Sequence, residues 1–428
     1  MKMTKPEKSW IMYDVANSVY ATVMLAAIFP TYFATVCKGV GVSGDFWWGI
    51  GTSIGTFTLA ILAPVIGAFA DVNGYKKKLF SAFLAIGLVF TLVNAFTDNW
   101  SMLLVGYILS HIGFQGSCLL NDSFLTDVTT PDRMDNVSSW AYALGYIGGS
   151  TIPFLVCIAL IMFGENFGVD SAMAVKLSVV ITTVWWGLFS IPFLKNVKQL
   201  HGIEKPQKGI VKDAFVRIGR TARKIATNKA MLLFILAYFF YIDGVNTVIS
   251  MSTAYGSSIG LGTTGMVLAL MVTQIVAFPC AILFGKLAGK HGSIKMLIVS
   301  IVIYFLICLT GFVMGLGLED GFLTVAQATV LFWVLATLVG TVQGGIQAIS
   351  RSFYGKLVPP ENSGEYFGFF DIFGKFAAVI GPALYSLVKG LTGRGSYAIL
   401  SIVLLFAAGF VLLFCGRKQY ESIDAPKA

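Results

Sequence analysis

"AAVIGPALYSLV", residues 377–388, is apolar on every face. A strand of an outer-membrane barrel would place apolar residues at alternate positions of a ~10-residue segment. A continuous run suits a helix, which can cross lipid because it satisfies its backbone N–H and C=O groups internally. Crossing a hydrocarbon core of ~30 Å takes about 20 helical residues. Working outward from 377–388, runs of that length lie near 10–36, 48–70, 79–97, 102–124, 137–163 and 174–194. After a polar stretch at 195–230, six more lie near 231–258, 264–284, 293–317, 323–349, 366–388 and 397–415. The expected fold is all-α and integral to a membrane, with twelve transmembrane helices. Its expected domains are a six-helix half at 1–194, a basic linker at 195–230 and a second six-helix half at 231–428.

Composition agrees. Of 428 residues, 56% are hydrophobic and 12% charged, with a mean hydropathy of +0.80, where a soluble domain carries about 25% charged residues. The net charge of +9 is distributed for topology rather than for nucleic acid. With the N-terminus inside, 25 of 30 Lys and Arg collect on one side, ten of them within 195–229. Lys38, Lys176, Lys389 and Arg394 fall near the other face, and Lys375 within a span. Enrichment of Lys and Arg marks the cytoplasmic side, which puts both termini there. Lys2, Lys5 and Lys8 precede a long span with no small-residue cleavage site, the pattern of an uncleaved first helix. The six cysteines sit in or beside spans without the paired spacing of a disulfide framework or a zinc site.

The chain repeats itself. "YDVANS" at 13–18 and "YIDGVNT" at 241–247 each place Asp, two spacers, Asn and a hydroxyl residue in an apolar segment: Asp14, Asn17 and Ser18, then Asp243, Asn246 and Thr247. At the same offset of 229, Ser123-Phe124 falls on Ser352-Phe353, Gly145 on Gly374 and Pro153 on Pro382. Parallel repeats of six helices characterise transporters with a solute site near the bilayer midplane. Polar residues retained inside spans favour transport over a passive scaffold.

Between the second and third spans stands Gly67-Ala-Phe-Ala-Asp71-Val-Asn-Gly74-Tyr-Lys76-Lys77-Lys78. It fits G-x3-D-x2-G-x-[KR]-[KR] and resembles the loop signature of the major facilitator superfamily. Gly67 and Gly74 allow a tight turn, and Asp71 can accept hydrogen bonds at a neighbouring helix N-terminus. The resemblance implies a gating role for this loop, with Gly67, Asp71, Gly74, Lys76 and Lys77 as its residues. Val72 departs from the common basic residue, and a second copy, Gly285 to Gly292, has Gly289 at the acidic position. That departure predicts a weaker second latch. "YDVANS", "ALGYIGG", "YIDGVNT", "QGGIQAISRS" and "GEYFGFFDIFGK" together resemble the branch that includes the autophagy-related vacuolar amino-acid effluxers and their bacterial relatives, over roughly residues 9–415. This resemblance implies gradient-driven movement of a small solute. Compact loops suggest a multi-pass protein of a prokaryotic plasma (inner) membrane.

An ionisable group at a helix centre costs ~2.5–3.5 kcal/mol and normally faces a cavity or a partner. Asp243 lies mid-span, and Asp14 matches it by the repeat or caps the first helix. Asn17 and Asn246 share a helical face with their aspartates and either hold solute or join helices. Ser18 and Thr247 are expected to bond their own helix backbone. Asp371 and Lys375, four apart, form either a zwitterion site or a static pair. Gln343 and Gln347 in "QGGIQ" are expected substrate contacts, with interhelical bonding as the rival. Arg351 is expected at a cytoplasmic gate, paired with Glu361 or Glu365. Within 195–230, Val211, Phe215, Ile218, Ala222 and Ile225 recur at helical spacing among Arg217, Arg220, Arg223 and Lys224, an amphipathic tether for the inner membrane surface.

No enzyme is indicated. G-x4-G-K-[ST] and H-E-x-x-H are absent, and the three histidines are scattered. The expected function is secondary active transport by alternating access, moving an amino acid or related small polar molecule outward with proton coupling. The rival is a lipid or lipid-linked flippase on the same fold. Neither cofactor, metal nor nucleic acid is expected; the partners are solute, bilayer and a proton or other coupling ion, and the chain is expected to work as a monomer.

Overall fold

The computed structural model describes residues 2–204, 210–258, 260 and 263–424. Lys205, Lys208 and Lys427, counted above on the basic side, lie outside them, as do the side chains of Val211 and Lys212. Among the described residues all regular structure is helical, save one parallel bridge between Val72 and Ile203.

Among the described residues, twelve helices are long and apolar enough to cross a membrane. The first six are α1 (Lys5–Gly39), α2 (Gly44–Ala70), α3 (Lys76–Phe96), α4 (Trp100–Ser123), α5 (Met134–Phe167) and α6 (Ser171–Asn196). The linker helix α7 (Ile210–Thr227) follows. The rest are α8 (Lys229–Ser258), α9 (Thr263–His291), α10 (Ser293–Glu319), α11 (Val325–Leu357), α12 (Pro360–Thr392) and α13 (Gly395–Tyr420). Every expected span has its helix, most of them extended at one end or both.

Local chemistry starts them. Thr4 and Glu7 form a reciprocal capping box on α1, with Glu7 Oε2 accepting from Thr4 N at 2.7 Å and Thr4 Oγ1 from Glu7 N at 3.3 Å. Asn99 caps α4 and Asp170 caps α6 through their side-chain oxygens. Ile61, Leu188 and Leu404 are exposed along the spans, as lipid contact requires.

Two spans break where the repeat places a proline. A proline inside a helix removes one N–H and crowds the carbonyl four residues back. Before Pro153, α5 widens into a π-turn over Gly145–Thr151, and Thr151 Oγ1 donates to the Tyr146 carbonyl at 2.8 Å. Before Pro382, α12 is interrupted at 377–379, within the very run that argued for a continuous helix. There Ala378 N and Val379 N donate to carbonyls three residues back, Lys375 and Phe376, at 3.2 Å each. A further π-turn, Ala21–Ala26, interrupts α1 after Ser18.

The chain forms two compact units. One comprises Met1–Thr130, Leu144–Thr221 and Val358–Asp371; the other Pro131–Ala143, Ala222–Leu357 and Ile372–Ala428. The core of the first is aromatic: Phe80 stacks on Phe193 at 4.1 Å, and Tyr20 on Phe114 at 4.6 Å. In the second, Tyr304 stacks on Phe406 at 5.2 Å, and the hydroxyls of Tyr241 and Ser350 bond at 2.7 Å.

Candidate functional site

In the first unit, Asp14 is buried on α1, and its Oδ1 accepts from Asn121 Nδ2 of α4 at 3.2 Å. Trp10 Nε1 donates to the Asn121 carbonyl at 2.7 Å and fixes the same pair of helices. Ser18 Oγ donates to the Asp14 carbonyl at 2.6 Å, its own helix backbone. In the second unit, Asp243 is fully buried on α8, and its two oxygens accept from Gly381 N at 3.0 and 2.9 Å. Gly381 opens the second piece of α12, so Asp243 caps the N-terminus that the break creates, where the helix dipole favours an anion. Thr247 Oγ1 donates to the Asp243 carbonyl at 2.7 Å.

Asn17 and Asn246, one helical turn on from these aspartates, are half-buried. Among the described residues neither side chain makes a hydrogen bond. Gln343 is in the same condition, 8% exposed, at a cavity of ≈ 80 Å³ in the second unit whose walls include Ser252, Tyr255, Thr273 and Phe332. Gln347 is half-buried one turn away. Asp371 and Lys375 share one turn of α12, both half-buried, and the boundary between the compact units falls between them.

The loop after α2 is bonded to the start of α12. Asp71 is completely buried, with Oδ1 accepting from Gly364 N at 2.7 Å and Oδ2 from Glu365 N at 2.9 Å, at the start of the Ser363–Phe376 stretch of α12. Burial pushes its carboxyl up to about 7 against the opposing pull of Lys76 and the two amides. A Cβ on Gly67 would collide with the Gly364 carbonyl, which is why glycine stands there, and Gly74 has φ +80. Lys76 is fully buried; its ammonium donates to Asp127 Oδ2 at 2.9 Å and Ser363 Oγ at 2.8 Å. Lys77 Nζ donates to the Val197 carbonyl at 2.7 Å. Glu365 is buried and engaged by the Arg217 guanidinium and by Thr221 Oγ1 at 2.6 Å, both from α7.

Several residues of this assembly were not legible in the sequence. Asp127 Oδ1 accepts from Leu200 N and His201 N at 2.8 Å each, and Gln199 Oε1 accepts from Gly74 N at 2.9 Å. Arg217 also donates to the Ala68 carbonyl at 2.6 Å. In the second unit Arg351 is buried; its Nε donates to Ser138 Oγ at 3.0 Å, and its guanidinium lies 4.5 Å from the centroid of the Tyr142 ring. Glu361 is exposed. The acid missing at Gly289 is supplied from elsewhere: Asp424 accepts from Ser293 N and Ile294 N at 2.8 Å each, capping α10. Asp135 accepts from Lys356 Nζ and Ser352 Oγ at 2.6 Å each. One signal was available, because Lys356 follows Asp127 by the repeat offset of 229, pairing a base with an acid.

Twelve apolar helices among the described residues, with buried charge between them, make a multi-pass membrane protein, and the relatives and family below make it a transporter of the major facilitator type. Solved structures of that superfamily share the fold. They include the human organic anion transporter MFSD10 (TETRAN), at TM-score 0.71 and 13% identity over 96% of this chain and 99% of that one. FucP in its outward conformation matches at TM-score 0.66 and 14% identity, over 96% and 97%. The chain belongs to the vacuole effluxer Atg22-like family, whose model matches residues 49–419. It is 44% identical over 419 residues to the uncharacterized MFS-type transporter YxiO of Bacillus subtilis, covering 96% of this chain and 95% of that protein. It is 26% identical to autophagy-related protein 22 of Pichia angusta, over 78% of this chain and 69% of that one.

Proposed function

We propose that this secondary transporter exports an amino acid or a related small polar solute by alternating access, coupled to proton movement. It does so as a monomer in a prokaryotic plasma membrane, with both termini cytoplasmic and six-helix halves at 1–194 and 231–428 joined by the linker at 195–230. The observation that carries this reading is the state of Asn17 and Asn246. Two repeat-related amides, each a turn from a buried carboxylate, have no hydrogen-bond partner among the described residues although they sit half-buried in spans. Amides without a protein partner inside a span are available to a polar solute. Gln343, also unbonded, adds a third contact, and Gln347, Asp371 and Lys375 extend the set. Asp14 and Asp243 supply the carboxylates; protonation of Asp243 weakens its hold on Gly381 and so couples a proton to the break in α12. Asp71 and Lys76, with Arg351 and Glu365, gate the cytoplasmic side.

Counterflow in proteoliposomes tests this, with the twenty amino acids as a pool and then singly, for wild type, Asn17→Ala and Asn246→Ala. Exchange by wild type and its loss in either variant is the expected result. A folded wild type that exchanges no amino acid removes that substrate class, and a lipid-flipping assay then decides the rival reading. Exchange undiminished in both variants removes the amides from the site.

A further inference from the structure

The linker helix α7 is turned the opposite way from an ordinary amphipathic helix. Its face toward the protein carries Ala214, Arg217, Thr221 and Ile225, all buried, with Arg217 and Thr221 both on Glu365. Its outer face leaves Phe215 59% and Val216 52% exposed, beside exposed Arg220 and Arg223. A polar pair is thus enclosed while an aromatic side chain is left out. One residue, Asn228, separates α7 from the membrane-crossing α8, and it caps that helix through Met231 N at 3.2 Å. The C-terminal end of α7 is therefore held where a span enters the bilayer. Apolar side chains flanked by arginines, on a helix whose end leads into a span, match an anionic bilayer surface: the apolar groups enter the headgroup region while guanidiniums reach lipid phosphates.

We propose that α7 docks its outer face, Phe215, Val216, Arg220 and Arg223, on anionic lipid headgroups, and that this docking holds Arg217 and Thr221 on Glu365 so that the latch around Asp71 stays engaged. Glu365 N is itself one of the two amides that Asp71 accepts from, so the clasp and the latch share a residue. Lipid at the outer face and Glu365 at the inner face are bound at once by one rigid helix, and ordering by the first lowers the entropic cost of the second. The transporter would then sense the charge of the bilayer around it.

Amide hydrogen exchange on the full chain tests this in vesicles of phosphatidylcholine alone or with about one-third phosphatidylglycerol, each basic residue at an anionic surface being worth about fivefold in binding. In the anionic vesicles, peptides covering 213–225 and 363–368 are expected to exchange about five- to thirtyfold more slowly, an effect lost in high salt and in the double variant Arg220→Gln, Arg223→Gln. Glu365→Gln should keep the protection of 213–225 and lose that of 363–368. Equal exchange in the two vesicle types overturns the proposal and points to a soluble partner for this face. So does protection of 213–225 that never reaches 363–368. Because exchange rather than solute flux is read, a negative result leaves the transport reading untouched.

Discussion

Replacing Asp71 by Asn keeps the shape of the side chain and removes its charge and its titration. In the latched structure the Asp71 carboxyl is pushed up to about 7 by burial, ahead of the lowering effects of Lys76, Glu365 N and Gly364 N. Once the latch releases and water reaches it, its pKa should return to about 3.9. Roughly three units between the two states correspond to about 4 kcal/mol. The sign follows from the latched state holding the proton more tightly. The proton's contribution to latching is complete below about pH 4 and is lost as pH rises through about 7. Between pH 7 and 5 the latched population of wild type should therefore grow, by about fiftyfold in the equilibrium constant. In Asp71→Asn the amide still accepts one backbone N–H but turns its NH2 toward the other. The second amide N–H loses its acceptor, but the charge whose burial raises the wild-type carboxyl is gone as well, so the variant should latch about as the protonated wild type does and show a flat pH response. The assay is exchange at the Gly364 and Glu365 amides, corrected for the intrinsic effect of pH on exchange. Wild-type protection that does not change between pH 7 and 5 would refute the reasoning. A variant that keeps the wild-type slope would assign the titration to another group.

Asp243→Asn should leave the fold intact, at about 1 kcal/mol for a weakened helix cap, while abolishing concentrative transport; normal gradient-driven flux in counterflow and uptake assays would remove its coupling role. Gly67→Ala must push Gly364 away and should cost about 1–3 kcal/mol, read as a lower melting temperature in detergent. Asp424→Ala uncaps α10 and should cost about 1 kcal/mol, whereas Glu421→Ala, at an exposed position, should change little.

Hydropathy made the spans legible, because a helix that crosses a bilayer must be long and apolar and the chain must write it plainly. The run 377–388 shows the limit of that signal. Its composition says helix throughout, but the backbone parts at 377–379, and only the proline at 382 announces it. The same reading located Asp71 correctly at a helix N-terminus, because glycines and a carboxylate in a short loop have few other uses. It could not foresee that Asp243 caps Gly381, a partner 138 residues away, or that Arg217 reaches Glu365 across 148. The linker was read by its apolar stripe, which favours the membrane; in the structure Arg217 and Thr221 turn inward, because a buried carboxylate at Glu365 demands a partner more strongly than Phe215 demands shelter.

Gly67 and Gly364 meet backbone to backbone, so a side chain on either has nowhere to go but into the other's peptide. Although nearly three hundred residues separate them along the chain, the two positions act as one steric unit, and a side chain placed at either must displace the peptide of the other.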